Sequence, residues 1–189
     1  MRIRSFPESD VPADLRLQVL RLQHQAWPDE EAPTQPRLTH DPKLEPVSLL
    51  LVVGERVVSA LDILSKAITH AGETYRASGL STVVTDAELR GRGYGLTLVR
   101  HAREQIAGRG ADVGIFTCDT PLLRFYEAAG WQHLPGTVLV GGTPEHPFPS
   151  DQFDKVTLGA FFADKAVRHA ADFVGQRIPL YPGEIDKLW

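Results

Sequence analysis

The stretch Arg90-Gly91-Arg92-Gly93-Tyr94-Gly95 lies between a segment with strand character and one with helix character, and the reading of the chain turns on it. Before it, Leu80-Ser81-Thr82-Val83-Val84-Thr85 is short and rich in β-branched residues, which suits a strand. After it, Leu98, Val99, Ala102 and Ile106 recur at helical spacing and share one face. Glycines at alternate positions let the backbone turn tightly and leave no Cβ between it and a ligand. The amides that follow point outward from a helix start, where the dipole favours an anion. On the glycines alone, this is a pyrophosphate cradle or a plain strand-to-helix turn.

Two phosphate-binding patterns fail here. Leu96 stands where a dinucleotide fingerprint needs its third glycine or alanine, and no Gly-Lys-Ser/Thr follows as in a Walker loop. A nucleotide-binding oxidoreductase is thereby disfavoured. Arg90-x-x-Gly93-x-Gly95 instead resembles the acetyl-CoA loop, Gln/Arg-x-x-Gly-x-Gly/Ala, of the GNAT acyltransferases.

Composition narrows the class. At 189 residues and 42% hydrophobic content the chain can bury one good core, so one domain over 1–189 is expected. A net charge of −4 argues against nucleic acid and against an anionic membrane surface, and mildly favours a cationic partner. Cys118 is the sole cysteine, which rules out an internal disulfide and points to a reducing cytoplasm. The first residues, Met1 to Pro7, lack the apolar run of a signal peptide. No run approaches the roughly eighteen apolar residues of a membrane span.

Taken in order, Arg2 to Phe6 reads as a strand. Ser9 or Asp10 offers a helix cap, Pro12 suits a first turn, and Leu15, Val19, Leu22 and Ala26 form one buried stripe. Residues Asp29 to Pro46, with four prolines, read as a long loop of the kind that often binds. Val47 to Val53, Val57 to Leu64 (extending toward His70) and Thr74 to Thr85 read as three antiparallel strands leading into the glycine loop. Asp112 to Cys118 is a further strand. Asp119-Thr120-Pro121 then starts a helix with Leu122, Phe125, Tyr126 and Ala129 as its apolar face and Gly130 as terminator. Thr137 to Val140 and Lys155 to Phe162 suggest strands, and Ala163 to Val174 a terminal helix. This order predicts an α/β (α+β) fold with a mixed sheet, not a doubly wound parallel one.

A second motif strengthens the resemblance. Leu122-Leu123-Arg124-Phe125-Tyr126-Glu127-Ala128-Ala129-Gly130-Trp131 is similar to the GNAT Phe-Tyr-Glu-x-x-Gly-Phe/Trp helix, and the element order extends the likeness over about Arg2 to Phe162. The likeness implies a mostly antiparallel GNAT-type sheet flanked by helices. It also implies acetyl-CoA as co-substrate, with the loop Arg90, Gly91, Arg92, Gly93, Tyr94 and Gly95 holding the pyrophosphate. Backbone groups of Val83, Val84 and Thr85 would hold the pantetheine arm and the thioester carbonyl. Tyr126 would lie near the sulfur and protonate the departing thiolate; the plain alternative is an aromatic packed in the core beside Phe125.

The general base is not evident. Some relatives carry a strand glutamate near the position of Ser81, and here it is missing. Asp29, Glu30, Glu31 and Asp41 on the long loop, with Asp119 and Asp154, are the open choices. The seven histidines lack metal-ligand spacing, so no metal is expected. Cys118 reads as a buried strand residue with no adjacent histidine to make it a nucleophile.

The chain closes on Asp186-Lys187-Leu188-Trp189, and the region around Tyr126 and Trp131 is similar, more weakly, to the aminoglycoside 2′-N-acetyltransferases, which also end in tryptophan. Carried over, Trp189 would bring a carboxylate to an acceptor cleft, helped by Asp29, Glu30, Glu31 or Asp154, facing a polycationic sugar; the plain alternative is an apolar terminal residue docked on the core. Ser81 and the segment 163–180 depart from that group. The expectation is an N-acetyltransferase acting by direct attack of a small, cationic primary amine. The alternative is an acyl-CoA-binding sensor or partner module with weak catalysis. Many relatives pair, so the likeness leaves a homodimer open.

Overall fold

The computed structural model describes residues 1–28, 31–181 and 188. Three long strands form its spine: β2 (Val47–Val53), β3 (Arg56–His70) and β4 (Glu73–Thr85), all antiparallel. β1 (Arg2–Pro7) pairs with β2 at one edge. On the other side β4 meets β5 (Val113–Asp119) in parallel, and β5 pairs antiparallel with β9 (Lys155–Phe161), which also carries the two-residue β6 (Gln132–His133). The seven-stranded order is β1-β2-β3-β4-β5-β9-β6.

The continuous apolar run in β2 is explained by cover on both faces. Successive side chains of a strand point to opposite sides. Leu50 and Val52 pack with Leu15, Val19 and Leu22 of α1 (Ala13–Ala26). Val47, Leu49 and Leu51 pack with Leu98, Val99, Ala102 and Ile106 of α2 (Tyr94–Gly108). All four α2 positions on the expected stripe are buried.

The sheet opens where the site lies. β4 and β5 are in register only at Ala77–Val113 and Ser78–Gly114, and part beyond. On its far side β4 slips register against β3: Ala60 faces Val84 and Asp62 faces Ser81, so Thr82 and Val83 together oppose Leu61. Thr82 there takes a left-handed φ of 49°, which a β-branched residue rarely adopts. This bulge bends the strand and re-aims its next residues.

Several local expectations change in the fold. Ser9 and Asp10 lie in a separate 3-10 turn, and α1 starts after Pro12 with no side-chain cap. Asp119 caps nothing; a 3-10 turn over Thr120–Leu122 precedes α3 (Leu123–Ala128), and Asp119 bonds Lys155 instead. Leu122, expected on the buried face, is exposed. The helix expected over Ala163 to Val174 divides into α4 (Asp164–Arg168) and a 3-10 turn at Ala170–Phe173. The break lets Phe173 bury its ring among Tyr75, His70 and Phe161 while Val167 faces solvent.

A second sheet was not expected. β7 (Val138–Gly142) leaves the main sheet and pairs with β8 (Pro147–Pro149) and, in parallel, with β10 (Arg177–Pro179). Leu139, Ile178 and Phe173 seal this sheet onto Tyr75, Leu64 and Ile68 of the spine.

Candidate active site

The glycine loop enters α2 through Gly93, whose φ of 79° is left-handed and marks the N-cap. The Gly93 carbonyl then accepts from both the amide (2.9 Å) and the hydroxyl (3.0 Å) of Thr97, closing the first turn. A Cβ placed on Gly95 would sit 2.9 Å from Thr85 Oγ1 and 3.5 Å from the Phe125 ring. The residue is therefore glycine because loop, β4 and α3 converge on it. Thr85 Oγ1 is itself held by Ser59 Oγ at 2.9 Å, and Ser59 also donates to the Val84 carbonyl at 2.8 Å. Asp86, just beyond, is buried against Arg56 and accepts from the Glu88 amide. The end of β4 is thus a fixed shelf.

Between shelf, loop and α3 lies a cleft of about 720 Å³. Val83, Val84, Thr85, Arg90, Gly91, Gly93, Tyr94, Gly95 and Tyr126 all line it. Arg92 does not border it and is exposed. Arg90 leans back to the Thr85 carbonyl, 3.4 Å from its Nε. A glycine-floored helix start beside a diverging strand suits a pyrophosphate followed by an extended amide-bearing arm.

Tyr126 is buried, its ring edge-on to Phe116 and Phe125 at 5.1 and 4.9 Å. Burial, reinforced by Cys118 and Asp119, pushes its phenol well above the usual tyrosine range. It therefore stays protonated across the working range and can only give a proton, not take one. The packing role and the cleft-lining role coexist in one side chain.

Tyr126, Val83, Leu122 and Trp27 also line a second cleft of about 470 Å³. Its other walls include Ser81, Thr82, Cys118, Phe148 and Phe153, with Asp119 and Lys155 forming an ion pair at 2.7 Å. A third cleft, about 430 Å³, continues past Trp27 and Thr82 toward Gln23, His24 and Arg37. Cys118 is inert here: burial first, then the Asp119 charge, pushes its thiol up to about 11.

Behind the bulge sits a carboxylate that sequence reasoning passed over. Asp62 is fully buried and meets His40 Nε2 at 3.2 Å, Thr82 Oγ1 at 2.7 Å and the Ser48 hydroxyl. Burial opposes its ionisation, but His40 and the two hydroxyls outweigh that cost and hold the carboxyl below its ordinary value. His40 comes from the long proline-rich loop, whose Thr39 and His40 amides also donate to buried Glu8, the partner of Arg16. The only cue in the sequence would have been an aspartate inside an apolar strand.

The other acidic candidates scatter. Glu31 is exposed and borders none of the three clefts. Asp154 accepts from the Thr120 hydroxyl at 2.6 Å and borders none of them either. Asp41 caps a 3-10 turn by accepting from the Lys43 amide. Asp29, Glu30 and Trp189 lie outside the described residues, although Leu188 lines the second cleft. Among the described residues, no group of three or more His, Cys, Asp or Glu side chains gathers as a metal site. Nor, among those residues, is any helix long and apolar enough to cross a membrane.

A mixed sheet that parts between two parallel strands, with a glycine loop and helix start at the gap, defines an acyl-CoA-type transferase fold. The family model described as "Acetyltransferase (GNAT) domain" matches residues 3–134, and the chain belongs to that family. A comparison with curated protein sequences gives no match. Among solved structures, the chain resembles ElaA of Escherichia coli, at 14% identity over 84% of this chain and 99% of that one, with a TM-score of 0.57. It resembles an acyl-CoA N-acyltransferase of Pseudomonas aeruginosa at 15% identity over 84% and 97%, TM-score 0.56. It also resembles an aminoglycoside 6′-acetyltransferase type Ii at 18% identity over 86% and 98%, TM-score 0.58. At these identities the structures speak for the fold.

Proposed function

We propose that this protein transfers an acetyl group from acetyl-CoA to the primary amine of a small molecule by direct attack. The observation that carries this reading is the convergence of the Gly93–Gly95 helix start, the bulged Val83–Thr85 strand end and Tyr126 on one cleft. Acetyl-CoA would supply an activated acyl thioester. The amides at the start of α2 would hold its pyrophosphate, with Arg90 adjacent as a further cation. The unpaired stretch of β4 would present backbone groups to the pantetheine arm and an N–H to the oxygen on which charge develops. Tyr126, kept protonated by burial, would hand its proton to the departing sulfur.

The acceptor would enter from the second cleft, which shares Tyr126 and Val83 with the first. An amine nitrogen at that junction reaches the thioester from the opposite side of β4. As it attacks, the new carbon–nitrogen bond forms and the carbon–sulfur bond breaks. The surplus ammonium proton passes to solvent or to Asp119, the carboxylate that lines this cleft. Among the described residues, the lining gives the polycationic-sugar reading little support. Asp119 is neutralised by Lys155, Glu31 and Asp154 stand away, and the Trp189 carboxylate lies outside the described residues.

A binding module without useful turnover is the alternative, and an intact Tyr126 beside both clefts favours the enzyme over it. We place the protein in the cytoplasm, by the lone buried Cys118. The test is release of free CoA from acetyl-CoA with a panel of amines, alongside calorimetric binding of acetyl-CoA. Turnover with any primary amine supports the transferase. Binding without release across the panel supports the module, and failure to bind overturns both.

A further inference from the structure

We propose that the acceptor is a primary amine borne on an apolar, ring-sized body that seats against Phe153, Phe148 and Trp27; this rests on the transferase reading above. Large apolar side chains left in water are usually scattered singly. Here Trp27 (54% exposed), Leu38 (52%), Leu122 (44%) and Phe153 (43%) border the two acceptor-side clefts, which adjoin at Trp27 and Thr82; Trp27 and Leu122 also edge the first cleft, whereas Phe153 and Leu38 face the acceptor side alone. Apolar surface gathered at a concave site next to reacting groups marks where a ligand is desolvated.

Phe148 in β8 and Phe153 after it lie beyond residue 134, where the family match ends. Their ring centroids are 5.1 Å apart at 39°, a tilted pair that presents a broad apolar surface. The cleft they wall, about 470 Å³, has room for a single ring with a short amine-bearing tail.

Charge points the same way. Among the described residues, the charged side chains lining the cleft are Asp119 and Lys155, paired with each other at 2.7 Å. An apolar wall also lowers the cost of losing the amine's proton, because desolvation disfavours the ammonium form.

The experiment uses the full chain. Free-CoA release is measured with 2-phenylethylamine, spermidine, glycine and an aminoglycoside, for the native protein and for Phe153→Ala and Phe153→Leu. Calorimetry of 2-phenylethylamine against the CoA-loaded protein reads the aromatic seat without turnover. The aryl amine should give the highest kcat/KM. Phe153→Ala should raise its KM and its calorimetric Kd about tenfold, with Leu restoring most of the loss. The KM for acetyl-CoA should stay within about twofold, since Phe153 does not border its cleft. Aryl-amine binding that depends on Phe153, without CoA release, would sink the transferase and leave the aromatic seat standing. CoA release that favours spermidine, glycine or the aminoglycoside, or is indifferent to Phe153, would overturn the inference and leave the transferase intact. Neither binding nor release with the aryl amine would also overturn it.

Discussion

Asp62 and Thr82 are joined at the β3–β4 register slip, the Thr82 hydroxyl donating to Asp62 Oδ2 at 2.7 Å. A β-branched residue in the left-handed region is strained by about 1 kcal/mol or more. The strain persists because a buried carboxylate, itself anchored by His40 and Ser48, holds the side chain that the bulge displays. The bulge lies in the stretch of β4 that lines the first two clefts. Its shape therefore sets a wall of each.

Removing that anchor should cost stability. Asp62→Ala removes the buried carboxylate that His40, Ser48 and Thr82 share, and an effect of about 3–5 kcal/mol is expected in urea unfolding. Thr82→Gly loses the hydrogen bond but relieves the left-handed strain, so a loss below about 1 kcal/mol is expected. If the two variants were equally unstable, the anchoring role of Asp62 would be wrong.

The same carboxylate predicts a pH dependence. Its folded-state value lies below the ordinary 3.8, so below that pH the unfolded chain binds more protons than the folded one. The stabilisation is fully present above about 3.8 and is lost as pH falls through the folded-state value. Urea midpoints between about pH 5 and 2 should fall more steeply for the native protein than for Asp62→Asn. Parallel slopes for the two proteins would contradict the assignment.

Gly95→Ala should weaken acetyl-CoA binding. The new Cβ would press on Thr85 Oγ1 at 2.9 Å, and Thr85 is tied to Ser59. A displacement of the shelf costing about 1.4 kcal/mol corresponds to a tenfold rise in Kd. Calorimetry reads it directly, and an unchanged Kd would remove this face of the loop from the CoA site.

Tyr126→Phe should lower kcat by about tenfold to a hundredfold while leaving the KM for acetyl-CoA nearly unchanged, because the ring is kept and the proton is lost. A thiolate is a fair leaving group, which keeps the effect at the low end. Since burial raises the phenol far above its usual range, the native enzyme's kcat should show no decline from phenol ionisation up to about pH 10. A native profile that breaks near an ordinary tyrosine value would contradict this environment.

Cys118 should resist alkylation in the folded state. With its thiol pushed up to about 11, the thiolate fraction at pH 8 is smaller than that of a free thiol by about two orders of magnitude. Iodoacetamide labelling should follow unfolding, measured by mass spectrometry over a urea series. Rapid labelling of native protein would show that the strand is more open than described.

Much of this was legible along the chain because it depends on near neighbours. The stripe Leu98, Val99, Ala102 and Ile106, the unbroken apolar β2 and the glycines of the loop each announce a local geometry, and each forms as read. Resemblance in two short motifs was enough to indicate the family. Where prediction failed, a distant partner prevailed. Asp119 forgoes its cap for Lys155, and the helix after Ala163 breaks so that Phe173 can bury against Tyr75 and Phe161.

The sequence by itself thus determined most of the elements, the glycine turn into α2 and the family, since periodicity and backbone freedom are written within a few consecutive residues. The tertiary structure alone assembled the walls of the second cleft. Trp27, Asp119, Phe148, Phe153 and Lys155 come together from a helix end, two strands of the main sheet and the second sheet with its following turn, and no spacing encodes that meeting. It arises because β5 parts from β4 and turns to β9, opening a gap whose walls are supplied by segments far apart in the chain.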